Sequence, residues 1–331
     1  MKNRGRGARG VAVAALAVAT VVAAPAADPP QAEISNSVVR AKLYLPDPQQ
    51  GYYRATRFDW AGQVASLEYK GHNYFGQWFE KYDPKLHDAI MGPVEEFLTN
   101  GAGLGYADAK PGENFVKIGV GAIRKPDEPR FRQFSTYDIA DSGKWTVRKG
   151  RDFVEFTQTL PDTSGYAYRY KKTLRLTKNK PELVLEHRLK NTGRKTIESS
   201  VYEHNFYMID GLPTGPDVVV RFPFDVRATA GLSGLAEVRG KELVYLKELQ
   251  RGQTVQSNLV GYGDTAKDYD IRVENRKAGA GVRQTGDRPI ERINYWSIRT
   301  TACPEAYVHM KIEPGKEFTW RIAYEFYTLN P

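Results

Sequence analysis

Asn191-Thr-Gly-Arg-Lys-Thr-Ile-Glu-Ser-Ser-Val-Tyr-Glu-His-Asn-Phe-Tyr-Met208 is the stretch that decides the fold. Its Asn-Thr-Gly triplet is turn chemistry, because Asn and Gly tolerate the backbone conformations of a tight reversal. The residues on both sides alternate. Before the turn, Leu183, Leu185, His187 and Leu189 share one face of an extended segment, with Val184, Glu186 and Arg188 on the other. After it, Tyr202, His204 and Phe206 share a face, with Glu203 and Asn205 opposite. One strand therefore ends at the turn and the next carries a histidine between aromatic residues. Imidazole is the side chain whose ordinary pKa, about 6.5, lets it donate or accept a proton near neutrality. The chain has only five histidines, and a strand holds a catalytic acid more rigidly than a loop does.

The same alternation extends outward over 38–45, 63–69, 153–160, 166–177, 182–190 and 318–329. Turn signals separate the runs: Pro46-Asp47-Pro48, Ser142-Gly143, Pro161-Asp162, Pro213-Thr214-Gly215 and Pro314-Gly315. No long segment has a 3.6-residue period; the nearest is 84–98, where a turn or two of helix is expected. There is no βαβ alternation, internal repeat or low-complexity linker. The fold class is all-β, a large antiparallel β-sandwich with few short helices, forming one domain over 27–331.

The first residues have a different character. Lys2, Arg4, Arg6 and Arg9 precede an unbroken run of Val, Ala, Leu and one Thr over 11–22, and Ala24-Pro25-Ala26 supplies small residues for cleavage. The run is shorter than the roughly 20 residues a membrane-spanning helix needs. Residues 1–26 are thus expected to be a signal peptide, and the protein to be exported, periplasmic or extracellular, with no membrane span after cleavage. Losing four basic residues and no acid lowers the formal net charge from +9 to +5. That is mild for this length, and nucleic-acid binding is not expected. Cys303 is the only cysteine, so stability must come from a core rather than from disulfides.

Three local patterns carry a resemblance. Gly62-Gln-Val-Ala-Ser-Leu-Glu-Tyr-Lys-Gly71 is a strand closed by a glycine turn. Asn191-Thr192-Gly193 is followed 13 residues on by His204-Asn205-Phe206. Trp296 precedes Cys303-Pro304-Glu305, and Glu313-Pro314-Gly315-Lys316-Glu317 leads into an aromatic strand. Together these resemble the aldose 1-epimerase, or galactose mutarotase-like, family, whose fold is a β-supersandwich. The resemblance implies that His204 and Glu305 form a proton-transfer pair. Interconverting sugar anomers requires taking the proton from the C1 hydroxyl and protonating the ring oxygen, and each such group contributes roughly 10²–10⁴-fold. On this reading Glu305 is the base and His204 the acid, separated by about the width of a sugar ring. Glu203, on the opposite face, is expected at solvent or in an ion pair there.

The family's sugar-holding histidine and arginine have no obvious counterpart upstream. His87, in the Gly/Pro-bounded segment ending at Gly92, is the best substitute for the histidine, and Lys117 is a candidate for the missing cation. Sugar sites also need stacking platforms, because aromatic faces pack on sugar C–H faces. In Tyr74-Phe75-Gly76-Gln77-Trp78-Phe79 the first two suit a core, and Trp78 is expected to be half exposed. Phe206 and Trp296 are further platforms. Arg299 is placed to meet a carboxylate or phosphate, which its planar fork suits.

No cofactor or metal is expected. Ile118-Gly119-Val120-Gly121 lacks the third glycine and helix of a dinucleotide loop. Asp264, Asp268 and Asp270 lack the glycine and terminal glutamate of a calcium loop. No Gly-x-Ser-x-Gly elbow occurs. The sequence points to a carbohydrate partner, a monosaccharide or glycan end, and to anomer interconversion. A non-catalytic carbohydrate-binding protein or a polysaccharide-processing enzyme on the same fold are the alternatives.

Overall fold

The computed structural model describes residues 28–329, so the expected signal segment lies outside the described residues. Two large sheets dominate. The first has ten strands, in the order Ala236–Arg239, Glu242–Tyr245, Val218–Arg221, Asp270–Asn275, Ala280–Gly286, Glu317–Thr328, Glu182–Asn191, Tyr166–Leu176, Phe153–Thr163 and Lys144–Lys149. The second has six, in the order Arg227–Ala228, Val255–Val260, Arg292–Ile298, Thr301–Ile312, Ile197–His204 and Val94–Leu98. Neighbouring strands run antiparallel throughout both. The expected strand at 63–69 is Gln63–Tyr69, and that at 166–177 is Tyr166–Leu176.

The sheets pack face to face. Phe97 of the six-stranded sheet meets Tyr170 and Trp320 of the ten-stranded sheet edge-on, at ring-centroid distances of 5.5 and 6.0 Å. Leu183, Leu185 and Leu189 point into this interior, as their alternation requires, with Val201, Met310, Ile312, Ile322 and Phe326. Burial of such side chains contributes roughly 1.5–3 kcal/mol each and drives the two sheets together.

The Asn-Thr-Gly turn carries the chain from one sheet to the other. Asn191 ends its strand by donating its side-chain amide to the carbonyls of Lys195 and Ile312, each at 2.8 Å, and by accepting from the Gly193 amide at 3.0 Å. Gly193 is required by close approach, since a Cβ there would stand 2.5 Å from the Ala167 nitrogen. Six residues past Asn191, the chain re-enters as Ile197–His204 in the six-stranded sheet.

Segment 84–98 is not helical. It runs through turns into the strand Val94–Leu98, all five of whose residues are buried. That strand pairs with the His204 strand, placing Glu95 opposite Glu203 and Glu96 opposite Tyr202. A surface helix needs one solvated face, and from Ala89 to Leu98 every residue is buried; the consecutive carboxylates instead find partners on opposite faces of a sheet.

Candidate active site

The outer face of the six-stranded sheet is a lattice whose rows follow from strand register. In one row Glu96, Tyr202, Tyr307 and Arg292 lie opposite one another across four strands. Two residues along, the next row brings Glu305, Asn294 and Asn258 together, with His204 beside Glu305. The third row includes Cys303, Trp296 and Gln256. Alternation therefore turns these side chains to one face, where all but Glu96 and Cys303 line a cleft of about 480 Å³.

His204 and Glu305 meet on the cleft floor. His204 Nε2 lies 3.2 Å from Glu305 Oε1, so the two touch rather than straddle a sugar ring. Asn294 donates to Glu305 Oε2 at 2.7 Å and fixes the carboxyl plane. The imidazole is held mainly by packing. It stacks on Phe206 at 3.8 Å and meets Phe58 and Trp296 edge-on, while Nδ1 has no hydrogen-bond partner. Phe206 reaches this position by leaving the strand with a φ of 45°, a left-handed conformation uncommon for a bulky residue. Burial pushes the Glu305 carboxyl up to about 8 against the Asn294 hydrogen bond and the Arg57 charge. Burial, reinforced by Arg57, pushes the His204 imidazole well below its ordinary value. At neutral pH the pair thus holds one proton, and it rests on the carboxyl.

An arginine that no motif marks, Arg57, also lines the cleft. Its Nε donates to Glu96 Oε2 at 2.9 Å and its Nη2 to the Tyr202 hydroxyl at 3.3 Å. Tyr202 in turn donates to Glu96 at 2.5 Å, and Gln133 donates to the other carboxylate oxygen at 2.8 Å. Burial opposes charge on Glu96, but Arg57 and Lys117 outweigh it and hold the carboxylate below its ordinary range. The guanidinium also covers the Phe58 and Phe134 rings. No local pattern announces this role, because the partner carboxylate lies 39 residues away.

The remaining predicted residues fall into two groups. Trp78, His87, Phe206 and Trp296 line the cleft with the acid–base pair. Trp78 is buried rather than half exposed, because its indole stacks on Phe206 at 4.6 Å and donates to the Ile90 carbonyl at 2.8 Å. His87 stands at the rim, with Nε2 3.4 Å from Asp88 Oδ2 and its ring against Phe134. Lys117 and Arg299 do not line the cleft. Lys117 is buried behind it, donating to the Phe97 carbonyl at 2.8 Å, and burial lowers its ammonium to about 8. Arg299 points away, 3.6 Å from Glu248.

Glu203 is on the opposite face, but it is buried there and makes no ion pair of its own among the described residues. It lies between the sheets in a buried ionic cluster with Glu95, Asp59, Lys172 and His187. The Lys172 ammonium contacts Glu95 directly, and His187 Nε2 lies 2.5 Å from the other Glu95 oxygen. Burial opposes charge on Glu95, but these partners outweigh it and hold the carboxylate at about 2. Burial and the neighbouring Glu95 push the Glu203 carboxyl well up, and burial does the same to Asp59. Glu95, His187 and Glu203 have donor atoms within 4.8 Å of one another. Lys172 already supplies that cluster's cation. A second hollow, of about 820 Å³, lies on the outer face of the ten-stranded sheet. It is a ladder of solvated charges, with Glu155 bridging Arg148 and Lys171, and Arg188 facing Glu317.

No family model matches the chain, and no curated protein matches it in sequence. Solved structures do share its architecture. The Slr1438 protein of Synechocystis aligns with a TM-score of 0.57 at 12% identity, over 93% of this chain and 99% of that one. The GalM/aldose epimerase homologue of C. elegans aligns at 0.55 and 14% identity, over 91% and 99%. A galactose 1-epimerase from Lactobacillus acidophilus aligns at 0.51 and 10% identity, over 91% and 95%. At such identities the likeness establishes the fold alone. That fold is the galactose mutarotase-like β-sandwich.

Proposed function

We propose that the protein is an exported enzyme of the aldose 1-epimerase type, interconverting the anomers of a sugar at the His204–Glu305 pair. The observation that carries this reading is the 3.2 Å approach of imidazole to carboxyl on the floor of a sugar-sized cleft. The C1 hydroxyl oxygen and the ring oxygen are bonded to the same carbon, so one touching acid and base can serve both. Anomerisation consumes no proton, and a pair sharing one proton is the right stock for it. With that proton on Glu305, the carboxyl gives it to the ring oxygen while His204 takes the one on O1. The C1–O5 bond breaks, the aldehyde rotates, and closure on the other face returns both protons. These roles are the reverse of those the family resemblance implies, and they follow from burial.

Arg57, Asn258, Gln256 and Asn294 supply hydrogen bonds for hydroxyls, and Trp296 offers an aromatic face. Export rests on the basic start, the apolar run over 11–22 and Ala24-Pro25-Ala26. Polarimetry of freshly dissolved α-sugars tests the reaction. Wild-type protein accelerates the drift to equilibrium, and His204→Ala, with its fold confirmed by circular dichroism, leaves the drift at the buffer rate. Equal rates for wild type and variant across a sugar panel leave carbohydrate binding without catalysis as the better account.

A further inference from the structure

Two guanidinium groups end the row Glu96, Tyr202, Tyr307 and Arg292, and they differ in one respect. Arg57, at the Glu96 end, is bound to a carboxylate. Arg292, at the other end, makes no ion pair or side-chain hydrogen bond among the described residues. Its guanidinium carbon lies over the Tyr307 ring, 3.9 Å from the centroid. Tyr307 stacks on Tyr202 at 4.2 Å, and Tyr202 is tied to Glu96. The guanidinium is therefore positioned by a stack reaching to the cleft floor, while the residue itself is exposed. Stacking uses the face of the group and leaves its N–H fork free.

Position adds to this. Asn294 lies opposite Glu305, and Arg292 is two residues before it on the same face, about 7 Å along the strand. That is roughly one sugar ring away from the acid–base pair. The cleft's other charges leave Arg292 uncompensated. Glu96 is taken up by Arg57, Asp88 stands beside His87, and burial discharges the Glu305 carboxyl.

We propose that Arg292 is the anion-binding subsite of the cleft, selecting sugars that carry a carboxylate or phosphate one ring away from the anomeric carbon. The inference rests on the anomerase reading for the sugar's orientation, but the ion contact itself does not need catalysis. Both anions match the fork, giving paired N–H···O bonds that a neutral hydroxymethyl group cannot.

The test uses D-glucose, D-glucuronate and D-glucose 6-phosphate with wild type and Arg292→Gln. Anomer exchange is followed by NMR, and binding is titrated separately on the Glu305→Gln protein with and without Arg292→Gln. Wild type is expected to favour a charged sugar over glucose, and Arg292→Gln to raise the KM or Kd for that sugar about 10- to 100-fold, well beyond its effect on glucose. A gain confined to glucuronate assigns the subsite to carboxylates, and one confined to glucose 6-phosphate assigns it to phosphates. No exchange for any sugar, together with Arg292-dependent binding of a charged one, sinks the anomerase reading but keeps the subsite. A wild-type preference for glucose, or an equal effect of Arg292→Gln on all three sugars, overturns the proposal.

Discussion

Glu95 and Glu96 are consecutive carboxylates on one strand, both buried, and each answers a different cation on a different face of the sheet. Glu95 meets Lys172 and His187 between the sheets, whereas Glu96 meets Arg57 at the cleft. One strand thus supplies a ligand to the core and a brace to the site.

The two substitutions should separate stability from function. Glu95→Gln removes the closest carboxylate from the buried Lys172 ammonium and leaves it only Asp59, 3.8 Å away; breaking one side of a buried pair costs about 3–5 kcal/mol. Denaturant melts should show that loss, while the fraction still folded keeps its affinity for sugar. Glu96→Gln releases Arg57 and should weaken sugar binding about tenfold or more. If Glu96→Gln matches wild type in affinity, Arg57 is not held for the substrate.

The pH profile of kcat/KM reports how many protons the pair carries. Ordinary values of 4.5 for the glutamate and 6.5 for the histidine would centre activity between them, on the acid side of neutrality. Burial reverses the order. Below the lowered His204 value both groups are protonated and no base remains. Above the Glu305 value of about 8 both are unprotonated and no acid remains. Activity should therefore hold through neutrality and fall on an alkaline limb near pH 8. An alkaline limb near 6.5 is the signature of the unreversed assignment and contradicts the neutral pair.

Trp78 and Trp296 both line the cleft but should fail differently. Trp78 is buried against Phe206, so Trp78→Ala should cost about 3–5 kcal/mol of stability. Trp296 is only partly buried, so Trp296→Ala should mainly raise KM, with a small change in melting. Equal destabilisation by the two would make Trp296 a core residue rather than a platform.

How far the sequence went depended on the range of each interaction. Alternation over 63–69, 166–177 and 182–190 is local, and it located those strands to within one residue at either end. His204 and Glu305 were legible as a pair through short motifs, and alternation put Glu203 on the opposite face. What lay there was not legible, because a period of two says which face and not what covers it. Glu203 has Lys172 and His187 behind it only because the ten-stranded sheet closes on that side. Arg57 was missed for a related reason: its setting comes from Glu96 and Tyr202, on two other strands. The burial of Trp78 is not legible locally, because its aromatic neighbours in sequence do not include Phe206, which covers it in space. The helix expected over 84–98 reflected weak local propensity overruled by strand pairing with Ile197–His204.

The claim that His204 and Glu305 act as one unit is tested most directly by comparing His204→Ala, Glu305→Ala and the double variant for NMR anomer exchange on a sugar the wild type turns over. Groups that share one proton fail together. Each single variant should fall about 10²–10⁴-fold in kcat, and the double variant should fall no further than the worse single one. A double variant whose loss is the product of the two single losses, or either single variant retaining the wild-type rate, would contradict the account.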